Sequence, residues 1–275
     1  MRKYVCFERG IQSIHNALIM RLLKYTLLLI SWLVCVPDIT AQDGSPGLGI
    51  EDVIVEIYHI AEGGDETDSF GQTLPEGMVT YRIFLDMKEG YVLHALYGVD
   101  GHPLIFKTTT QFYNHIDWGA ATGTEVSNRR IDRYGVAFDS WLSMGGATRR
   151  HLGIPLVADP DGSVLPFASH EPRDGLIEHT DIPSLLEYGI DLDMFDEASN
   201  QGVFFTEDGA LAVLGGVKGT NEKNQVLIAQ LTTDGQISFE LNVQVSNPHC
   251  GTENYVARNP KGKEIHAACL IYPGN

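Results

Sequence analysis

The fold class of this chain is predicted mainly from one stretch of sequence, NQVLIAQLTTDGQISFELNVQV, residues 224–245. From Ile237 to Val245 every second residue is apolar, and polar residues occupy the positions between them. Such alternation is typical of an antiparallel strand with one buried and one solvated face. The preceding run, Val226 to Thr232, is apolar and β-inclined, and Asp234-Gly235 between the two segments is a hairpin signal. The stretch therefore predicts a β-hairpin.

Short β-inclined segments recur along the rest of the chain, separated by turns rich in glycine and aspartate. Residues 203–214 predict a second hairpin around Glu207-Asp208-Gly209, and residues 182–189 predict one short helical turn at most. Strands at short spacing with few helices are typical of a sandwich or a barrel. We therefore predict an all-β chain that folds as an antiparallel β-sandwich, jelly-roll or Ig-like. The other predicted strands are residues 53–58, 79–87, 91–97, 104–110 and 136–144.

Residues 50–275 are predicted to form a single sandwich domain, because neither a repeat of fixed period nor a linker divides them. From about residue 145 to residue 202 the alternation weakens, and proline, aspartate and histidine become frequent. We interpret this range as a long irregular insertion between sheet strands. Residues 42–49, QDGSPGLG, predict a flexible leader ahead of the domain.

The N-terminal segment has the pattern of a secretory signal peptide. A short apolar run, Tyr25 to Val36, follows Arg21 and Lys24 and precedes small residues that end at Ala41. The run is shorter than the roughly 20 residues that a membrane span needs. We therefore predict a signal peptide over residues 1–41, with Met20 as a more natural start, and a secreted or cell-surface protein. The alternative is a retained N-terminal anchor, the one arrangement that would place the domain at a membrane.

The chain is strongly acidic, with 36 acidic and 19 basic residues and a formal net charge of −17. Removal of residues 1–41 takes away five basic and two acidic residues and leaves a net charge of −20. Such a surface repels nucleic-acid phosphates and anionic lipids, so nucleic acid is excluded as a partner. Glycans, other surface proteins and cations remain as predicted partners, and solubility alone also explains the charge.

Two cysteines, Cys250 and Cys269, remain after the predicted signal peptide is removed. In an exported chain such a pair predicts one disulfide. The sequence between the two cysteines reads as strand, turn and strand, so the bond would join the ends of a C-terminal hairpin, residues 250–270. The alternative is a metal site that adds His249 and His266, although zinc sites favour closer cysteine pairs.

Three segments together carry a resemblance to a known type of domain. They are residues 79–98, the stretch from Tyr134 to Gly145 with Phe138-Asp139-Ser140-Trp141 inside it, and residues 224–245. In combination they resemble a β-rich domain of secreted bacterial proteins of uncharacterised function. The resemblance implies a β-fold and export from the cell. It implies no activity, because the matching motifs are structural.

Acidic side chains in two loops predict calcium as a ligand, since hard cations prefer several converging oxygens. One cluster lies in VADPDGSV and contains Asp159 and Asp161, and the other lies in GIDLDMFDEASN. Neither follows the order of an EF-hand loop, and solvated turns are the alternative explanation. The residues of the second cluster are Asp191, Asp193, Asp196 and Glu197.

Aromatic residues concentrate in the segment QFYNHIDWG, residues 111–119. Phe112, Tyr113 and Trp118 predict a carbohydrate platform, because aromatic faces pack on apolar sugar surfaces while polar neighbours fix the orientation. The alternative is that these rings belong to the hydrophobic core.

Catalytic signals are weak throughout. The histidines show no HExxH spacing, and Ser140 lacks the Gly-x-Ser-x-Gly elbow of serine hydrolases. We therefore predict a structural or adhesive module that is not an enzyme and needs no cofactor other than supporting calcium. A carbohydrate-binding module is the first alternative. A hydrolase with its site in residues 145–202 is the second.

Overall fold

The computed structural model describes residues 49–62, 74–131, 135–159, 173–195, 201–220 and 223–273. Within these ranges the regular structure consists of β-strands and single turns of 3-10 helix. The strands are β1 (Ile50–Ile60), β2 (Val79–Met87), β3 (Val92–Tyr97), β4 (Leu104–Thr108), β5 (Trp141–Leu142), β6 (His151–Gly153), β7 (Leu176–Glu178), β8 (Leu185–Tyr188), β9 (Val203–Thr206), β10 (Ala210–Val217), β11 (Gln225–Thr233), β12 (Ile237–Glu240), β13 (Asn242–Ser246), β14 (Thr252–Val256), β15 (Ile265–His266) and β16 (Ile271–Tyr272). The helical turns are η1 (Gly123–Glu125), η2 (Val136–Phe138), η3 (Leu156–Ala158), η4 (Asp193–Phe195) and η5 (Ala268–Leu270).

Four strands form a central sheet in the order β1-β2-β11-β5, all antiparallel. Strand β11 is buried at every position, because both of its faces are covered. This explains why Gln225–Thr233 reads as a nearly continuous apolar run rather than an alternating one.

Two further sheets, joined through β12 and β13, form a bent second layer that packs against the central sheet, and this layer is called the bent sheet. It has a six-stranded half, β15-β14-β13-β3-β10-β8, and a four-stranded half, β16-β12-β4-β9. Only Leu241 separates β12 from β13, and these two strands pair with β4 and β3 respectively. The same long strand therefore passes from one half of the sheet into the other.

The main hydrophobic core lies between the two sheets. The central sheet contributes Ile83 and Leu85, and the bent sheet contributes Phe106, Phe239 and other apolar side chains, all of them buried. Burial of this area is the largest favourable term in the fold. The packing of mainly antiparallel sheets across one core confirms the predicted all-β sandwich, while the finer assignment as jelly-roll or Ig-like stays a prediction.

A third layer covers the other face of the central sheet. Phe84 and Leu227 point from that sheet into a second cluster, where they meet Phe138 from the helical turn η2 and Trp141 from strand β5. The central sheet is thus buried on both sides.

The two predicted hairpins are wrong in their pairing. Strand β11 belongs to the central sheet, whereas β12 pairs with β4 and β16, so Asp234-Gly235 carries the chain between sheets. Likewise β9 pairs with β4, and β10 pairs with β3 and β8. Strands β12 and β13 still bury their apolar residues as the alternation predicts, because the main core covers one face of each strand. The identity of the neighbouring strand does not affect this pattern.

The range 145–202 is only partly an insertion. Strand β8 lies inside the predicted helical turn, residues 182–189, and pairs with β10 as an edge of the six-stranded half. Strands β6 and β7 form a small sheet of their own. Gly47–Asn275 forms one compact unit.

The predicted disulfide is wrong, because Cys250 and Cys269 are both free. Strands β14 and β15 run parallel, with Tyr255 beside Ile265, so the predicted C-terminal hairpin does not form. Cys250 precedes β14 and Cys269 follows β15, which places them at opposite ends of the strand pair. A hairpin would have brought them to the same end.

The predicted signal peptide, residues 1–41, and most of the predicted leader lie outside the described residues. Within the described ranges, no helix is long and apolar enough to cross a membrane.

Candidate functional site

A groove runs over the face of the six-stranded half that points away from the core. Tyr97 in β3 and Tyr188 in β8 both lie directly opposite Ala210 in β10, one on each side. Directly opposed residues of antiparallel strands share one face of the sheet. The two tyrosines therefore flank an alanine in a single row across three strands.

A second row runs parallel to the first, two residues further along the strands. It joins Ala212, Ala95, Gln244 and Asn254, each directly opposite the next. Gln244 Nε2 donates a hydrogen bond of 3.1 Å to Asn254 Oδ1. The alanines form a low apolar floor, and the amide pair supplies donors and acceptors at one end of it.

The ends of the groove are formed by turns and by the C-terminal segment. The turn after β3 contributes Gly98 and Val99, the turn before β10 contributes Asp208, and the segment before β15 contributes Glu264. The enclosed volume is about 540 Å³. This volume falls within the range of small-molecule and oligosaccharide sites.

The electrostatics of the groove centre on Glu264. His102 Nε2 lies 3.2 Å from Glu264 Oε2, and His102 is only 2% exposed. The backbone N–H of Lys261 donates to the same carboxylate oxygen. Burial, and then the Glu264 carboxylate, raise the pKa of Tyr97 to about 12. Tyr97 is therefore a neutral phenol at ordinary pH and can donate a hydrogen bond.

The floor of the groove is held from beneath by Asn242, which is fully buried. Its Nδ2 donates to the carbonyl oxygens of Tyr97 at 3.1 Å, His102 at 2.9 Å and Pro103 at 2.9 Å. Gly98 N–H donates to Gly209 O at 2.8 Å and joins the two turns. The backbone that carries Tyr97 is thus fixed before any ligand arrives.

The aromatic platform predicted from the sequence is wrong for two of its three residues. Phe112 is 3% exposed and packs in the main core, while Tyr113 is 8% exposed and packs in the second cluster. Trp118 is partly exposed, but its ring stacks on His115 at 5.4 Å between centroids and contacts the Arg130 guanidinium. Phe112 therefore enters the main core, whereas Tyr113 and Trp118 pack with the second cluster, so the three rings do not form one exposed platform.

The acidic residues predicted to bind calcium do not converge among the described residues. Asp159 is buried, and its Oδ2 accepts hydrogen bonds of 2.8 Å from the N–H groups of Asp174 and Gly175. Asp191 Oδ1 accepts from Asp193 N–H at 2.9 Å in a local turn. The described ranges contain no group of three His, Cys, Asp or Glu that could hold a metal. Asp161, Asp196 and Glu197 lie outside them.

The polar side chains that resemble catalytic groups accept hydrogen bonds from backbone N–H groups. Ser140 Oγ accepts from Thr232 N–H at 2.9 Å, and Asp139 accepts from the N–H groups of His115 and Ala120. His179 Nδ1 accepts from Asp181 N–H at 3.1 Å, beside a cavity of about 330 Å³. These hydrogen bonds give the polar side chains a structural role in turns and at the junctions between layers.

Sequence reasoning missed the groove residues. Gln244 stood on the solvated face of the alternating strand, which was the one available signal. The sequence places Tyr188 in an insertion and Asn254 in a hairpin, so it does not predict that either residue shares a sheet face with Tyr97. The residues concerned are Tyr97, Tyr188, Gln244, Asn254 and Glu264.

Comparisons of the chain with protein-family models, with curated proteins and with solved structures return no match. The resemblance to a secreted bacterial β-rich domain stays a prediction.

Proposed function

We propose that this chain is a secreted or cell-surface adhesive module, and that it binds glycans in the groove of the six-stranded half. One observation carries the proposal: Tyr188 and Tyr97 stand on either side of Ala210, with the Gln244–Asn254 amide pair in the adjoining row. The groove is apolar at its floor and polar at its edges, which suits a sugar ring with apolar faces and hydroxyl groups at its rim.

The spacing of the tyrosines suits a short oligosaccharide. They lie two strands apart, which corresponds to roughly 9.6 Å across a sheet. A pyranose ring can stack on the exposed ring of Tyr188, which is 62% exposed, while the next units lie over Ala210 toward Tyr97. The amides of Gln244 and Asn254 can then donate to and accept from hydroxyls of a sugar in the second row.

Glycan binding is tested by titrating the protein with oligosaccharides of several linkage types and following calorimetric heats or backbone amide shifts. We expect Tyr188→Ala to weaken binding at least tenfold, because a lost aromatic stack and its buried area are worth more than about 1.4 kcal/mol. Phe205→Ala is the matched control, since Phe205 is 54% exposed on β9, outside the groove.

A second variant separates ligand binding from folding. Ala210→Leu places a larger side chain between the two tyrosines and fills the floor of the groove. We expect loss of glycan binding with a melting temperature close to that of the parent, because position 210 is partly exposed and leucine is accepted in strands. Equal affinity of both variants and the parent for every glycan would overturn the proposal.

Export is tested separately by sequencing the N-terminus of the protein recovered from the native host. A cleaved signal peptide predicts that the mature chain begins at Gln42 and appears outside the cytoplasm. A chain that retains residues 25–36 would instead support the anchored alternative.

A further inference from the structure

The groove carries fixed negative charge. Two of its eleven lining residues, Asp208 and Glu264, are acidic, and none is lysine or arginine. The other polar lining side chains are the neutral groups of Tyr97, Tyr188, Gln244 and Asn254. A ligand in this groove therefore meets carboxylates and neutral hydrogen-bonding groups.

The two carboxylates line the groove from the turn before β10 and from the segment before β15. Asp208 is exposed and immediately precedes Gly209-Ala210. Glu264 Oε2 accepts a hydrogen bond from the Lys261 N–H and lies 3.2 Å from His102 Nε2. The Lys261 contact orients the carboxylate, and the charge of that carboxylate adds to the effect of burial in raising the pKa of the Tyr97 phenol.

We propose, on the basis of the proposed glycan binding, that the groove prefers amino sugars with a free amine and rejects anionic glycans. An ammonium group donates charge-assisted hydrogen bonds to carboxylates, which are stronger than hydrogen bonds between neutral groups. It also gains attraction from the face of an exposed tyrosine ring such as that of Tyr188. A uronate or sulfate group would meet Asp208 and Glu264 with like charge, in a chain whose formal net charge is −17.

The test compares three oligosaccharides of equal length on the full exported chain. Glucosamine oligomers carry one ammonium per unit, N-acetylglucosamine oligomers have the same backbone without the charge, and galacturonate oligomers carry carboxylates. We expect the first to bind about tenfold more tightly than the second, and the third to show no binding, as one charge-assisted hydrogen bond predicts. The affinity of the first should fall with added salt, whereas that of the second should stay constant.

Variants assign the preference to the two carboxylates. Asp208→Asn and Glu264→Gln keep the size of each side chain and remove its charge, so each should reduce the ratio of the affinity for glucosamine oligomers to the affinity for N-acetylated oligomers. Glu207→Gln is the control, because Glu207 is exposed next to Asp208 and does not line the groove.

The possible outcomes distinguish the charge preference of the groove from glycan binding itself. Equal affinity for the amino and N-acetylated oligomers, or tighter binding of galacturonate, would overturn the charge preference and leave glycan binding standing. Absence of binding by all three would overturn the charge preference, and absence of binding by neutral glycans as well would overturn the proposed function.

Discussion

Arg82 Nε donates a hydrogen bond of 2.9 Å to Gln230 Oε1, across the antiparallel pair of β2 and β11. Both side chains are about 1% exposed. Arg82 Nη1 also donates to the carbonyl oxygens of Asp174 at 3.2 Å and Gly175 at 2.9 Å. Gln230 Nε2 donates to the carbonyls of Ala137 and Asp139. This pair therefore ties the central sheet to two segments of the covering layer.

Replacing Arg82 tests whether the pair holds that layer in place. We expect Arg82→Met to lower the free energy of unfolding by about 3 kcal/mol, because Gln230 Oε1 and two carbonyls lose their buried donor. Denaturant unfolding followed by fluorescence measures this change. Arg258→Met is the control, since Arg258 is half exposed and pairs with Glu240, and surface pairs contribute about 0–1 kcal/mol. Equal effects of the two substitutions would contradict the assignment.

Asn242 provides a second test, directed at the groove. Asn242→Asp replaces a donor by a carboxylate that faces the carbonyls of Tyr97, His102 and Pro103. We expect a loss of about 2–4 kcal/mol in unfolding free energy, because the oxygen that replaces Nδ2 faces three carbonyl oxygens, and the Ala257 N–H is left to compensate the buried charge. Gln236→Glu makes the same chemical change at an exposed position and should shift the melting temperature little. Thermal unfolding at pH 7 distinguishes the two.

The buried carboxyl of Glu56 should make the free energy of unfolding depend on pH. Its Oε1 accepts from Leu156 N–H at 2.9 Å, and burial raises the pKa of the carboxyl above its ordinary value of 4.5. An acid with a raised folded-state pKa binds its proton more tightly when folded, so stability falls as pH rises from the unfolded pKa through the folded one.

Glu56→Gln removes that dependence. We expect the variant to be more stable than the parent at pH 8, with a difference that shrinks as pH falls through 4.5 and vanishes well below it, where the parent carboxyl is protonated in both states. Melting temperatures across this pH range measure it. Glu51→Gln, at an exposed position of the same strand, should show no comparable trend. A parent that grows more stable with rising pH relative to Glu56→Gln would contradict the account.

The free thiols predict a specific pattern of reactivity. Cys250 is exposed, whereas Cys269 is half-buried, and burial followed by the Asp52 carboxylate raises the pKa of its thiol. We expect a thiol reagent to modify Cys250 quickly and Cys269 slowly, because the thiolate is the reactive form. A reductant should leave the melting temperature unchanged. A drop in melting temperature on reduction, or a mass lower by two hydrogens, would restore the predicted disulfide.

The local patterns predicted the strands well and their partners poorly. From Ile237 to Val245 the apolar positions are buried as the alternation predicted, and Asn242 is the exception because its amide is used inside the turn between Tyr97 and Pro103. The pattern carries no information about which strand lies alongside. Asp234-Gly235 was therefore assigned to a hairpin although the flanking strands lie in different sheets.

The candidate site was harder to predict than the fold, for the same reason. Phe112 and Tyr113 form an aromatic cluster in the sequence, yet they enter different cores. A functional face requires side chains that are close in space and directed to solvent, and proximity along the chain ensures neither outside a regular strand.

By itself the sequence determined that this protein is an acidic all-β chain with one buried face on its alternating strands, because composition and period are local properties. Only the tertiary structure decided that Tyr188, Ala210 and Tyr97 share a row and that Cys250 and Cys269 stay apart. Strand order and direction depend on contacts between distant segments, and many orders satisfy the same local pattern. Packing of the whole chain selects one of them.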